Sequence, residues 1–206
     1  MSKFTILSVV FFLIPFASKS QENQSGNLER GLFTNMEWTQ NDTLLILPQF
    51  WMYIDEFYFE WRYNYEDINT LTMYIGRPFS HGEKLIYEIV PMAGISFGQT
   101  LGISFGLKLF AEYKGLSFVS EGQLTCDLKR NENSFIYNRS DLSYWVTHHI
   151  GIGIAHQVYA VFTEKTKHVE GPMLSFSFNE VELQFAVLDF SKHEMSFYLG
   201  IGYTLP

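Results

Sequence analysis

The chain has 206 residues and a formal net charge of −8, with 22 acidic residues against 14 basic ones. This balance argues against nucleic acid as a partner, because nucleic-acid binding depends on clustered lysine and arginine. The single cysteine excludes an internal disulfide and a cysteine-based zinc site. The glycine-rich stretches "GIGIAH" and "LGIGY" precede no predicted helix, unlike phosphate loops. We expect no cofactor and no metal.

An export signal is predicted at the start of the chain. Lys3 precedes an apolar run from Ile6 to Ala17, which is short for a membrane span and typical of a signal peptide. Small residues follow, so we predict a signal peptide over residues 1–20, and a short N-terminal anchor is the alternative. Cleavage leaves about 186 residues with 12 basic and 22 acidic side chains, a net charge of −10. Residues 21–48 are interpreted as a polar N-terminal periplasmic leader.

Ten segments of alternating apolar and polar residues follow the leader. They cover residues 50–65, 70–78, 84–96, 101–113, 116–129, 135–146, 149–162, 170–178, 181–190 and 195–205. A period of two predicts β-strands. Most segments have nine to fifteen residues, as a tilted strand crossing a bilayer requires, whereas strands of soluble proteins are shorter. We therefore predict an all-β fold, an antiparallel up-and-down transmembrane β-barrel over residues 49–206 with about ten strands, or alternatively eight or twelve.

The links between segments predict two different ends of the barrel. Tight turns are predicted on the side of the termini, at residues 80–83, 114–115, 147–149 and 179–180. The links on the other side are longer on average and more charged, at residues 66–69, 97–100, 129–134, 163–170 and 191–194. Short periplasmic turns and longer external loops are typical of outer-membrane barrels.

The two faces of each segment predict which side chains meet lipid and which line the lumen. Ten strands enclose an interior that side chains can largely fill. The predicted lumen charge network is therefore made by the charged residues of the polar faces: Glu56, Glu60, Arg62, Glu88, Lys108, Glu112, Glu121, Asp127, Asp141 and Glu182. Aromatic residues near segment ends are predicted at the membrane interfaces: Trp51, Tyr63, Tyr65, Tyr113, Tyr137, Trp145 and Tyr203.

The signal peptide, the long alternating segments and the last strand, "FYLGIGYTLP", resemble those of bacterial outer-membrane β-barrel proteins. The resemblance covers about three quarters of the chain and points to small, porin-like members without a characterised function. It implies export to the outer membrane of a Gram-negative bacterium, with outer-membrane lipids and the barrel-assembly machinery as partners. Members of the class usually end in an aromatic residue, whereas three residues follow Tyr203 here. The resemblance implies no activity and leaves the oligomeric state open.

Three functions fit this pattern. The first is a structural or weakly pore-forming envelope protein for small solutes, leaning to cations because carboxylates are in excess. The second is a rim enzyme acting on lipid or peptide, with His168 beside Glu170, or His193 beside Asp189, Ser191 and Glu194. The third is a soluble periplasmic β-sandwich whose apolar faces pack on each other. The loops around these histidines are short, so we expect no enzymatic activity.

Overall fold

The computed structural model describes residues 28–38, 43–65, 67–129, 134–163, 165–189 and 195–206. The predicted signal peptide lies outside these residues. Within the described ranges, no helix has the length and apolar character needed to cross a membrane.

The described residues form thirteen β-strands. They are β1 (Leu28–Trp38), β2 (Leu44–Ile54), β3 (Phe57–Tyr63), β4 (Thr70–Gly76), β5 (Phe79–Gly82), β6 (Ile86–Gly98), β7 (Gly102–Tyr113), β8 (Leu116–Asp127), β9 (Phe135–Trp145), β10 (Ile150–Val161), β11 (Lys167–Phe178), β12 (Val181–Leu188) and β13 (Ser196–Leu205).

Antiparallel pairing closes these strands into a barrel. β1 pairs with both β2 and β13, so the first and last strands meet, and β4 pairs with β6. The short β5 pairs with the beginning of β6 and continues the line of β4 beyond Pro78, a residue without an N–H for the ladder. Within the described residues the closed barrel therefore has twelve strands, which is the alternative number rather than the predicted ten.

Part of the range interpreted as a leader is barrel wall. All of β1 and the first residues of β2 fall within residues 21–48, so the leader interpretation is wrong for them and the barrel begins at Leu28. The inward side of β1 carries polar residues, among them Asn35 and Glu37. A strand with a polar lumen face has a polar composition, and this composition resembles that of a loose segment.

The predicted segment 50–65 is two strands joined by a tight turn. Asp55 and Glu56 separate β2 from β3, and Asp55 has a φ of 52°, which aspartate tolerates in turns. Ile54 and Phe57 are directly paired across this turn, so they share the outer face. Odd-numbered residues therefore face inward in β2 and outward in β3.

The tight turns share one end of the barrel with Leu28 and Leu205, here called the terminal end; the opposite end is called the loop end. The link 114–115 is a two-residue turn in which Lys114 and Gly115 have φ values of 50° and 80°. At the next such turn, Asn179 has a φ of 52°. These conformations suit glycine and asparagine in short hairpins.

The apolar face of the alternation points outward. Along β13, Phe197, Leu199 and Ile201 are 47%, 36% and 37% exposed, and similar side chains line the outside of most strands. The interior is polar, and four buried hydroxyls form a hydrogen-bonded row across β4, β6, β7 and β8 with spacings of 2.8, 3.1 and 2.9 Å: Thr72, Ser96, Ser104 and Thr125. A β-sandwich buries its apolar faces, so this barrel contradicts the sandwich alternative.

Candidate functional site: a polar belt across the lumen

Arg62 reaches across the lumen from β3. Its guanidinium donates to Glu60 on the same strand and to Glu121 on β8, and its Nη1 lies 2.6 Å from Oε1 of Gln123, also on β8. The strands β4, β6 and β7 lie between β3 and β8 in the wall, so these bonds span the interior. The side chains of Arg62 and Glu60 are fully buried. A buried guanidinium is tolerated when charged partners surround it.

Lys108 brings a second cation to the same place. Its Nζ lies 2.5 Å from Oε2 of Glu60 and 2.7 Å from the hydroxyl of Tyr58, and 3.6 Å from Oε1 of Glu121. Tyr58 itself donates a hydrogen bond to Glu60. Two cations thus face two carboxylates. We call the group the Arg62 cluster; its members are Tyr58, Glu60, Arg62, Lys108, Glu121 and Gln123.

A second group surrounds Arg139 on β9. The Nε of Arg139 lies 3.1 Å from both carboxylate oxygens of Asp141, and its Nη2 lies 3.3 Å from Oε1 of Gln184 on β12. The guanidinium carbon stands 3.5 Å from the ring centre of Tyr198 on β13, a cation–π contact. Tyr198 donates a hydrogen bond to Asn35 on β1. These five residues are called the Arg139 cluster.

Tyr65, which follows β3, joins the two clusters. Nδ2 of Asn35 donates to the Tyr65 hydroxyl at 2.5 Å, and that hydroxyl lies 3.2 Å from Oε1 of Gln49. The guanidinium carbon of Arg62 stands 5.5 Å from the Tyr65 ring. The Arg62 cluster, Tyr65 and the Arg139 cluster therefore form a continuous set of contacts across the interior, which we call the belt.

Two cavities open between the belt and the terminal end. The larger, about 860 Å³, is called the terminal vestibule, and its lining includes Glu112, Asp141, Trp145, His148 and Glu182. The other, about 470 Å³, has Glu29, Glu88 and Lys108 among its lining residues. Both cavities are lined by more carboxylates than cations.

The inward positions of the described strands are predominantly acidic. The carboxylates at these positions are Glu29, Glu37, Glu60, Glu88, Glu112, Glu121, Asp127, Asp141 and Glu182. The cations at inward positions of the same strands are Arg62, Lys108, Arg139 and, near the loop end, Lys167. A lumen lined by carboxylates favours cations electrostatically.

Nine of the ten residues of the predicted lumen network lie at inward positions. Glu56 is the exception, and its placement in the lumen is wrong: it lies in the turn between β2 and β3, 70% exposed, 2.7 Å from Arg77. The reason is the unrecognised turn, which ends one strand and starts another. Four inward charges were missed: Glu29, Glu37, Arg139 and Lys167. Arg139 shares the face of Asp141 along β9, which is a signal that could have identified it, and Glu37 lies in the presumed leader.

Three of the seven predicted interface aromatics lie on the outer wall near strand ends: Tyr63, Tyr113 and Tyr203. The prediction is wrong for the other four, which turn inward: Trp51, Tyr65, Tyr137 and Trp145. Trp51 packs so closely on Gly31 that a Cβ there would lie 2.5 Å from the indole ring. Trp145 donates to Ser117 at 3.1 Å. Nearness to a strand end does not determine which face a side chain occupies.

The structure describes one of the two histidines considered for a rim enzyme. His168 lies on the outer wall near the loop end, and His193 lies outside the described residues. Among the residues that the structure describes, no group of three or more histidine, cysteine, aspartate or glutamate side chains is arranged to hold a metal ion.

A closed antiparallel barrel with an apolar outer wall and a polar lumen is the fold of a bacterial outer-membrane β-barrel protein. Several solved porins have this fold. KdgM porin matches with a TM-score of 0.56 at 10% identity, covering 85% of this chain and 99% of that chain. NanC porin matches with a TM-score of 0.56 at 11% identity, covering 84% and 100%.

The outer membrane protein Omp33 of Acinetobacter baumannii matches with a TM-score of 0.50 at 11% identity, covering 88% of this chain and all of that one. Another structure has KdgM porin in complex with disordered oligogalacturonate. No family model matches the chain, and no curated protein matches it by sequence. The shared fold, together with the apolar outer wall, supports an outer-membrane location.

Proposed function

We propose that the protein is a narrow outer-membrane pore that passes small cations in preference to anions. The observation that carries the proposal is the excess of carboxylates at inward positions. The same proposal includes an N-terminal export signal, insertion by the barrel-assembly machinery and contact of the outer wall with bilayer lipids. A catalytic role does not belong to it, because the fold is shared with porins and His168 lies on the outer wall.

The acidic lumen also bears on the kind of solute. Oligogalacturonate, which is bound in one KdgM structure, carries carboxylates on its sugar units. The terminal vestibule of this chain is lined by Glu112, Asp141 and Glu182, and these carboxylates would repel such a solute. The shared barrel therefore supports a pore, whereas the lining supports a solute of opposite charge.

The belt supports a pore of low conductance. Arg62 and Glu60 are fully buried where they cross the interior, and Arg139 is only 8% exposed. An interior crossed by packed side chains leaves room for ions and small molecules and not for large solutes. The same belt favours a second candidate, a structural barrel with a closed lumen.

Conductance of the purified protein in planar bilayers tests the proposal. We expect small single-channel current steps. Under a salt gradient, we expect a reversal potential whose sign shows that cations cross in preference to anions. Replacing both Glu112 and Glu182 with glutamine removes two vestibule charges, so we expect weaker cation preference at nearly unchanged conductance. Glu56→Gln is the matched control, because Glu56 lies outside the lumen. Anion preference would contradict the proposal, and absence of conductance would favour the structural barrel.

A further inference from the structure

A group of polar side chains interrupts the outer wall on four neighbouring strands, β8 to β11. Ser120 on β8, Ser140 on β9, His156 on β10 and Glu170 on β11 are paired one after another and share the outward face. Asn138 and His168 complete the group, which we call the outer polar stripe. On the neighbouring strand β7, the outward residue opposite Ser120 is Leu109. On the other side, Asp189 follows the end of β12 and donates its backbone N–H to the Glu170 carbonyl at 2.9 Å.

Contacts within the outer polar stripe give it a defined arrangement. The hydroxyls of Ser120 and Ser140 are 2.9 Å apart. Nδ2 of Asn138 donates to Ser120 at 3.1 Å, and Ser140 donates to Oδ1 of Asn138 at 2.9 Å. The rings of His156 and His168 stack with their centres 5.9 Å apart. The His156 imidazole has two nitrogen atoms and the Asn138 amide has a second N–H, so these two side chains provide hydrogen-bonding groups for a partner.

Lipid tails provide no hydrogen bonds, so polar side chains on a lipid-facing wall favour protein–protein contact. We infer that the outer polar stripe is the contact surface between two copies of this chain, related by a two-fold axis along the membrane normal. Such an axis keeps every side chain at its own depth and lets one surface bind a second copy of itself.

The depths of the polar groups fit this symmetry. His156 lies six residues from Ile150, where β10 begins at the terminal end, and Ser140 lies five residues from Trp145, where β9 ends there. An axis between β9 and β10 therefore brings His156 of each copy to the depth of Ser140 of the other, with Asn138 two residues nearer the loop end. Imidazole against hydroxyl and amide is a complementary set of donors and acceptors, and the symmetry forms it twice.

Beside the outer polar stripe, toward the terminal end, the outer wall has a groove that suits apolar contact with a second copy. A groove of about 550 Å³ opens on the outer face there, with Leu142, Ile152, Ile154 and Pro172 among its lining residues. Apolar side chains of a second copy can enter this recess and add packing, which drives association within membranes. One half of the surface thus offers hydrogen bonds to a second copy, and the other half offers a groove for its apolar side chains.

Cysteine cross-linking in lipid vesicles tests the inference. In a Cys126→Ser background, Val158→Cys places one thiol on the outer face of β10, paired with Asn138. Met52→Cys, on the outer face of β2 and five strands away around the barrel, is the matched control. With a short bis-maleimide in phosphatidylethanolamine vesicles, we expect dimers from the Val158 variant and few from the Met52 variant.

Replacing Asn138 and His156 with alanine in the Val158→Cys protein should weaken association about tenfold, since hydrogen bonds between membrane segments are individually modest and here occur twice. A folded barrel in this variant is verified by its faster migration without boiling. Equal cross-linking of the two cysteine variants would overturn the inference. So would unchanged cross-linking after the alanine replacements, and lipid would then be what covers the stripe.

Discussion

Arg62→Met will lower the free energy of unfolding by about 3–5 kcal/mol, the loss that follows when one partner of a buried ion pair is removed. Glu60 is fully buried beside Arg62, and it would keep Lys108 as its only cation in the Arg62 cluster. Gln123 on β8 would lose the guanidinium bonded to its Oε1. Methionine fills similar space without replacing these bonds. Urea unfolding in lipid vesicles, followed by tryptophan fluorescence, measures the change.

Arg77→Met is the control for this prediction. Arg77 pairs with Glu56 at 2.7 Å, but the two side chains are 59% and 70% exposed. An exposed pair is screened by water, so its loss should change the free energy of unfolding by less than about 1 kcal/mol. Equal losses in the two variants would show that Arg62 does not organise the belt.

Arg139→Ala will raise the single-channel conductance and strengthen the preference for cations. The Arg139 guanidinium reaches from β9 to Tyr198 on β13 and to Gln184 on β12, so its removal opens the belt on that side. Side chains nearly fill the interior, so removing one arginine side chain should enlarge the open cross-section of the lumen by a factor on the order of two. Asp141 would lose its cation, which adds to the negative potential of the lumen.

Two controls separate these effects. Arg139→Met removes the charge and retains most of the volume, so we expect stronger cation preference with little change in conductance. Arg30→Ala removes an arginine from the outward face of β1 and should change neither quantity. Unchanged conductance in Arg139→Ala would place the narrowest section elsewhere in the lumen.

The outward direction of the apolar faces could be predicted from the sequence, and the number of strands could not. Alternation with period two persists through β2 and β3 almost without interruption, because the turn at Asp55 and Glu56 uses only two residues. In the sequence, this turn is visible only as the charged Asp55 on an otherwise aromatic face. β1 was not predicted as a strand because its inward polar residues make its composition resemble that of a loop.

The belt could be predicted as a set of charges but not as a set of contacts. The alternation of side chains between the two faces of a strand is enough to place Glu60, Arg62 and Lys108 in the lumen, since each lies on the polar face of its segment. Which residues meet across the interior depends on closure, which lets side chains of β3 reach β8 past three intervening strands. The inward turn of Tyr65 depends on the course of the chain after β3, and no periodicity in the sequence describes it.

Gel migration in detergent tests most directly the claim that this chain is a barrel whose apolar wall faces lipid. Closed barrels resist unfolding in detergent until they are heated, because all their strand edges are paired. We predict that the purified protein needs detergent to stay in solution, and that its unboiled band migrates faster than its boiled band. A protein that stays soluble without detergent, with identical bands, would contradict the account.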